Sequence, residues 1–222
     1  PVTRWYYRGP MFRAERPQRG RYRQFYQVGA ECFGDAGPGC DAEMIDGLVE
    51  FLKDIGIASP DVFISSIGAT GSRAKYKEEL VAHLDRMKDK LSPASQRRLG
   101  INPLRVLDSK HPLDQEAIQT APSILDHLVE ADRAHWDELR RQLDALGTPY
   151  QVDAKIVRGL DYYARTLFEI KGAYDKLGAG STLAGGGRYD GMVKDLGGPD
   201  IPAIGFAAGL ERLLIASSIE VS

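Results

Sequence analysis

Cysteine is nearly absent: the chain of 222 residues holds two, Cys32 and Cys40, without a CxxC partner for either. That scarcity excludes a disulfide scaffold and a zinc ribbon, and it predicts a reduced, cytoplasmic setting. No apolar run approaches the roughly 18 residues that a membrane span needs, and no secretory signal opens the chain. The sequence also has no G-x-x-x-x-G-K-[ST] phosphate loop, no strand-linked G-x-G-x-x-G, no HExxH and no G-x-S-x-G elbow. A nucleotide bound here must therefore be held without a phosphate loop. The four histidines, His83, His111, His127 and His135, read as surface or packing residues, and no metal site is predicted among them. With 43% hydrophobic and 27% charged residues, the composition excludes disorder and collagen. The length suits one large domain, or one domain carrying an insertion.

The charge is unevenly spread. Residues 1–34 carry seven Arg against Glu15 and Glu31, a balance of +5, so the rest must sum to −7 to reach the net −2. The same stretch holds eight of the 19 aromatic residues. Arginine mixed with aromatic rings suits a partner with phosphates and a flat base, either a nucleotide or a nucleic acid.

Residues 2–8 and 22–33 are rich in strand formers, and the polar run 13–20 between them, broken by Pro17 and Gly20, reads as a long hairpin loop. A helix is predicted from Asp41, as cap, to Ile55, followed by a strand at Val62–Ile67. Tyr76, Leu80, Leu84 and Met87 mark a second helix, and Leu125 to Leu146 a longer one with Pro122 in its first turn. From residue 148 the strand signals return, at 150–152, 163–170, 182–187 and 203–208, with helices over 189–196 and from Gly209 onward. Strands, a helical excursion and strands again predict an α+β fold with an antiparallel sheet flanked by helices. The predicted division is 1–69 and 148–222 as two parts of one core, with 70–147 as a helical insertion.

The segment from Gly9 to Glu31 is the most informative. Strand alternation puts Tyr22, Gln24 and Tyr26 on one face and Arg23, Phe25, Gln27, Gly29 and Glu31 on the other. A plain core strand would not align Gln27 and Glu31 with Phe25, because unpaired polar groups cost several kcal/mol when buried. Arg13–Ala–Glu15–Arg16, the loop and Arg21–Tyr–Arg–Gln–Phe25 resemble motif 2 of the class II aminoacyl-tRNA synthetases. Continued through Gln27 and Glu31–Cys–Phe–Gly34, the string resembles the histidyl-tRNA synthetase family. Residues 157–166 (VRGLDYYART) and 184–191 (AGGGRYDG) resemble the two histidine-specific signatures of that family, and 204–213 (IGFAAGLERL) resembles motif 3.

The resemblance implies site roles. Arg13 would hold the α-phosphate of ATP, with Arg21 and Arg212 on the outer phosphates; the planar arginine fork suits such bidentate contacts. Phe25 would stack under the adenine with Arg212 on its other side, and Glu15 would sit at the adenine edge. Arg158 would reach the histidine carboxylate and the α-phosphate, which makes Arg13 and Arg158 the catalytic pair. Imidazole has two ring nitrogens, so a selective slot needs polar groups on both sides. Glu31 and Tyr163 fill that role, with Tyr162 beside them and Gln27 toward the α-amino group. Gly185 to Gly187 would allow close backbone approach to the ligand, while Arg188 and Tyr189 read as structural.

The implied activity is histidine–tRNA ligation: ATP-dependent formation of histidyl-adenylate with Mg2+ on the phosphates, then transfer to tRNA(His). The full-length protein would be a cytoplasmic homodimer, with histidine, ATP and tRNA(His) as its partners. Motif 1 would precede Pro1 and an anticodon-binding domain would follow Ser222, so the chain is expected to be a fragment of a catalytic domain. The resemblance links the helical middle to the tRNA acceptor arm; its residues carry no Arg–aromatic stripe, and a packing role fits them equally. Two other classes share the pattern: the synthetase-like regulatory subunit of ATP phosphoribosyltransferase, and the synthetase-like domain of a stress kinase that binds uncharged tRNA. The first tends to lose parts of the ATP and histidine sites, and the intact set here argues against both.

Overall fold

The computed structural model describes residues 1–14, 22–156, 162–172 and 182–217. Seven strands, β1 (Thr3–Phe12), β2 (Gln24–Phe33), β3 (Asp61–Ser66), β4 (Gln151–Val152), β5 (Ala164–Lys171), β6 (Thr182–Arg188) and β7 (Ala203–Gly209), build one sheet. Their spatial order is β1-β2-β7-β6-β5-β3-β4. Neighbours run antiparallel except β3 and β4, which are parallel, so the sheet is mixed at that edge. A parallel pair needs a long crossover, and the helical stretch between β3 and β4 supplies it. β1 runs four residues beyond the predicted Arg8, through Pro10. A proline without an N–H is tolerated there because β1 is an edge strand.

Helix α1 (Pro38–Asp54) begins three residues before the expected Asp41, with Gly37 as its cap. Pro38 opens it because the ring presets a helical φ and the first N–H has no partner to lose. Asp41 is thereby released from capping and lies fully buried. Helices α2 (Thr70–Arg86), α3 (Pro93–Leu99) and α4 (Gln115–Gln119) follow, then α5 (Glu130–Leu146). The single helix expected from Leu125 is split: Ile124–His127 form a 3-10 turn, and Val129 is extended before α5 starts at Glu130. The break lets the Val129 N–H bond Ser72 Oγ at 2.9 Å and sets Asp132 against the start of α2. Short helices α6 (Met192–Asp195) and α7 (Leu210–Ala216) complete the chain. Among the described residues, no helix is long and apolar enough to cross a membrane.

Packing divides the helical stretch. Tyr76, Leu80 and Leu84 of α2 pack with Leu91, Leu99, Val106 and Ile124 in a core of their own. By contrast Trp136, Leu139 and Leu143 of α5 join Ile45, Leu48 and Leu52 of α1 against the sheet. Cys32 and Cys40 are free thiols in that larger core.

Three buried carboxylates hold the helical parts together. Asp114 accepts bonds from the Ser92 N–H at 2.7 Å and from the Ser92 and Ser95 hydroxyls at 2.9 and 2.7 Å. Burial alone would raise its pKa, but the hydrogen bonds from Ser109, Ser95 and Ser92 outweigh it and hold the group at about 2. Asp41 and Asp132 are likewise held below the ordinary range by hydrogen bonds and neighbouring arginines that overcome the cost of burial. A carboxyl with a depressed folded pKa stabilises above its unfolded value, near 3.9, and loses that contribution as pH falls through the folded value. Urea unfolding midpoints are therefore expected to be flat above about pH 5 and to drop steeply from about pH 4 toward pH 2. Asp114→Asn is expected to make that drop shallower.

Candidate active site

The site is built on one face of β2. Phe25, Gln27, Gly29 and Glu31 alternate along it, as expected, while Val28 and Cys32 on the other face pack into the core beneath. Tyr7 of β1 pairs with Gly29 in register, and its ring lies where a side chain at 29 would stand. Gln27 donates from Nε2 to the Tyr7 hydroxyl at 2.8 Å. Burial raises the Tyr7 phenol above its ordinary value, the Gln27 bond opposes this, and the Glu31 and Tyr163 groups add to it. Gln27, Glu31, Tyr7 and Tyr163 thus share one electrostatic neighbourhood.

Glu31 is its centre. Its carboxylate accepts a short hydrogen bond from the Tyr189 hydroxyl. Burial pushes the Glu31 carboxyl above the ordinary glutamate range, and the Tyr189 bond pulls it back. Gly205 of β7 pairs with Glu31, and any Cβ at 205 would overlap the Glu31 carboxylate. Tyr162 and Tyr163 close the wall: their rings are 4.7 Å apart, and Tyr162 stands 6.0 Å from Tyr189 at an 81° angle. Arg73 of α2 fixes the turn before β5 by donating to the Tyr163 carbonyl at 2.9 Å. Carboxylate, amide and phenols grouped on one face of the sheet offer donors and acceptors to both nitrogens of a small heterocycle.

Tyr7 enters the site without having been singled out from sequence, and Tyr189, read there as structural, enters it as well. Arg188 ends β6, and Tyr189 directly after it keeps a sheet-like bond from its N–H to the Ala203 carbonyl at 2.8 Å, so the two side chains leave on opposite faces. Arg188 is fully buried on the core side. It pairs with Asp41 through Nε at 3.0 Å and through Nη2, and reaches the carbonyls of Asp35 and Gly37 at 2.8 and 3.2 Å. Asp190 Oδ1 takes a further bond at 3.0 Å and also accepts from the Ala203 N–H. The structural role expected for Arg188 is therefore what the geometry gives, whereas Tyr189 faces the site. The glycines serve the sheet: side chains at 186 and 187 would collide with the Gly205 and Thr166 carbonyls and the Phe168 and Tyr163 rings.

At the other end of β2, the Arg13 guanidinium lies 3.6 Å from the Phe25 ring centroid. Arg212, in the first turn of α7, follows Gly209, which pairs with Gln27. Glu211 beside it anchors the strand by accepting the Tyr26 N–H at 2.8 Å. The cationic residues Arg13 and Arg212 thus flank the Gln27–Phe25 end of the strand. Glu15, Arg21 and Arg158, expected at the same site, lie outside the described residues.

A largely antiparallel sheet whose face carries an arginine–aromatic pair beside a half-buried carboxylate and phenols is the class II aminoacyl-tRNA synthetase catalytic architecture. The histidyl-tRNA synthetase family model matches residues 1–213. The histidine–tRNA ligase of Sorangium cellulosum (strain So ce56) is 63% identical over 214 residues, covering 96% of this chain and 50% of that protein. The crystal structure of apo S. aureus histidyl-tRNA synthetase superposes with a TM-score of 0.74 at 39% identity, covering 96% of this chain and 50% of that one. An ATP phosphoribosyltransferase regulatory subunit/histidyl-tRNA synthetase from Bacillus halodurans C, 22% identical with a TM-score of 0.65, covers 98% of this chain and 59% of that one and shares the fold. The chain belongs to the histidyl-tRNA synthetase family, and it spans about half the length of the curated relatives it matches.

Proposed function

We propose that this chain supplies the histidine- and ATP-binding part of a cytoplasmic histidine–tRNA ligase. The observation that carries the reading is the half-buried Glu31 carboxylate, bonded by Tyr189 and set in line with Gln27 and Phe25. In this reading Glu31, held by the Tyr189 hydroxyl, accepts the imidazole N–H, and the phenol of Tyr163 addresses the second ring nitrogen. Gln27 and Tyr162 line the α-amino side. A side chain unable to make those bonds would leave buried groups unpaired, a penalty of about 10⁴ in discrimination.

The ATP roles follow the arginines. Adenine stacks on Phe25 with Arg212 on the outer face and Glu15 at its edge, which requires Arg13 to leave the ring for the α-phosphate. Arg21 and Arg212 take the outer phosphates, and Arg158 bridges the α-phosphate and the histidine carboxylate. A carboxylate oxygen of histidine then bonds to the α-phosphorus in line as the bond to pyrophosphate breaks. The carboxylate is already ionised at neutral pH, so alignment and cationic stabilisation suffice without a general base. Histidine then passes from the adenylate to the 3′ end of tRNA(His), releasing AMP. Mg2+ enters as a companion of the substrate phosphates. Among the described residues no group of three or more His, Cys, Asp or Glu converges to hold a metal, so no step is assigned to a protein-held ion.

The unit of 70–147 is proposed as an insertion facing tRNA, supported by the separate core of α2 and α3. Residues 1–69 and 148–222 would then form the two parts of the catalytic core. A homodimer is supported by the edge strand β1, which leaves Trp5, Tyr6 and Phe12 exposed by 66%, 85% and 74%. The deciding experiment is ATP–pyrophosphate exchange by the intact protein. Exchange driven by histidine and not by glutamine is expected, and no exchange with histidine present would refute the ligase and favour a binding subunit.

A further inference from the structure

Tyr163 and Tyr189, two of the phenols grouped with Glu31, are anchored from behind by the elements that α5 holds. Tyr163 precedes a bulge in β5, where the register against β6 shifts between Ala164 and Leu167. Arg165 within that bulge has φ of 53°, a left-handed conformation that is strained for a side-chain-bearing residue. Such strain persists only where the surroundings hold it. Here the Arg165 N–H bonds the Gly68 carbonyl at 2.9 Å, and its Nε donates to Asp132 Oδ1 at 3.0 Å. The second oxygen of Asp132 is taken by the Ala69 N–H at 2.7 Å and the Ser72 hydroxyl at 2.6 Å. The start of α2, which carries Arg73 and its bond to the Tyr163 carbonyl, is thus tied to the same carboxylate.

The next residue of the bulge, Thr166, donates to Asp41 Oδ2 at 2.5 Å. His135 donates to that same oxygen from Nε2 at 2.8 Å, because an ionised carboxylate can only accept. The other side of Asp41 holds Arg188, directly before Tyr189. Asp132 and His135 stand three residues apart on one face of α5, nearly or fully buried. Consecutive residues of the bulge therefore run to consecutive turns of one helix, and the Tyr189 strand shares the second anchor.

We propose that Asp132 and His135 are positioning residues for the amino-acid pocket: through Arg165 and the Asp41–Thr166–Arg188 cluster they set where Tyr163 and Tyr189 stand relative to Glu31. The inference rests on the reading of the Glu31 side-chain group as the histidine site. It makes α5 the element through which movement of the helical unit would be felt at the pocket, since α2 is held by the same Asp132.

The test is steady-state exchange kinetics of the intact protein with His135→Leu, His135→Gln and Asp132→Leu, each corrected for active fraction by single-turnover adenylate formation. His135→Leu and Asp132→Leu are expected to raise the KM for histidine about tenfold while the KM for ATP stays within about twofold. His135→Gln, which keeps an N–H toward Asp41, is expected to recover most of the loss. In a Tyr189→Phe background, His135→Leu is expected to add about threefold rather than tenfold, because part of its effect passes through that phenol and the rest through Thr166 toward Tyr163. Thr166→Val removes a single bond to Asp41 and gives a smaller rise of about threefold, which keeps the test open if a leucine variant fails to fold. Wild-type exchange with variants that lose only active fraction, or that raise both KM values together, would overturn the positioning role alone. Wild-type protein without histidine-dependent exchange would overturn the pocket reading and this inference with it.

Discussion

Gly205→Ala is expected to lower histidine-dependent exchange by about 10³-fold, although the change adds only a single methyl group. The new Cβ would occupy the position of Glu31 Oε2 and would also press on the Ala30 carbonyl. The backbone of β7 is fixed by pairing on both sides, with β2 and with β6, so it cannot retreat. Glu31 must turn away, which breaks its bond to Tyr189 and withdraws the acceptor from the imidazole. Overpacking costs about 1–3 kcal/mol of stability, which leaves the fold intact while the site fails. Circular dichroism and histidine titration of the variant check this together. A folded variant with unchanged affinity for histidine would show that Glu31 does not read the ligand.

Arg188→Leu is expected to destabilise the protein by about 3–5 kcal/mol, because it removes the arginine partner of the buried Asp41 carboxylate and leaves it only the Thr166 and His135 bonds. Both side chains are fully buried, and the guanidinium also satisfies the carbonyls of Asp35 and Gly37 that lead into α1. Removing Asp41 as well, in Asp41→Leu/Arg188→Leu, is expected to restore part of the loss, since two apolar groups leave no orphaned charge. Urea titration measures both, with the change read in the midpoint at an unchanged slope. A single-variant loss below about 1 kcal/mol would mean that water reaches the pair and that Arg188 does not anchor the strand before Tyr189.

Much of this was legible in the residues themselves. The period-2 alternation along 22–33 placed Phe25, Gln27 and Glu31 on one face, and the sheet keeps them there because Val28 and Cys32 have a core to fill on the other. Helix positions were legible for the same reason, and their ends less so. Pro38 extends α1 because its ring fits a first turn, and Val129 breaks a run of continuous helical periodicity. Periodicity reports which residues are apolar, but it does not report which backbone groups find partners outside the helix. Tyr189 illustrates the same limit at the site. Local pattern puts it opposite Arg188, yet only the approach of β6 to β7 and β2 brings its hydroxyl to Glu31.

The sequence by itself determined the strand faces, the arginine–aromatic character of the hairpin and the ordered motifs that mark the family, because each depends on neighbours close along the chain. Only the tertiary structure decided that Tyr189 and Tyr7 belong to the pocket, that β4 lies parallel to β3, and that α5 grips the strands behind the tyrosines. Those facts join residues between 20 and 158 positions apart, such as Gln27 with Tyr7 and Glu31 with Tyr189. Pairings of that range arise from the closing of the sheet and the burial of Asp41 and Asp132, for which no local spacing carries a signal.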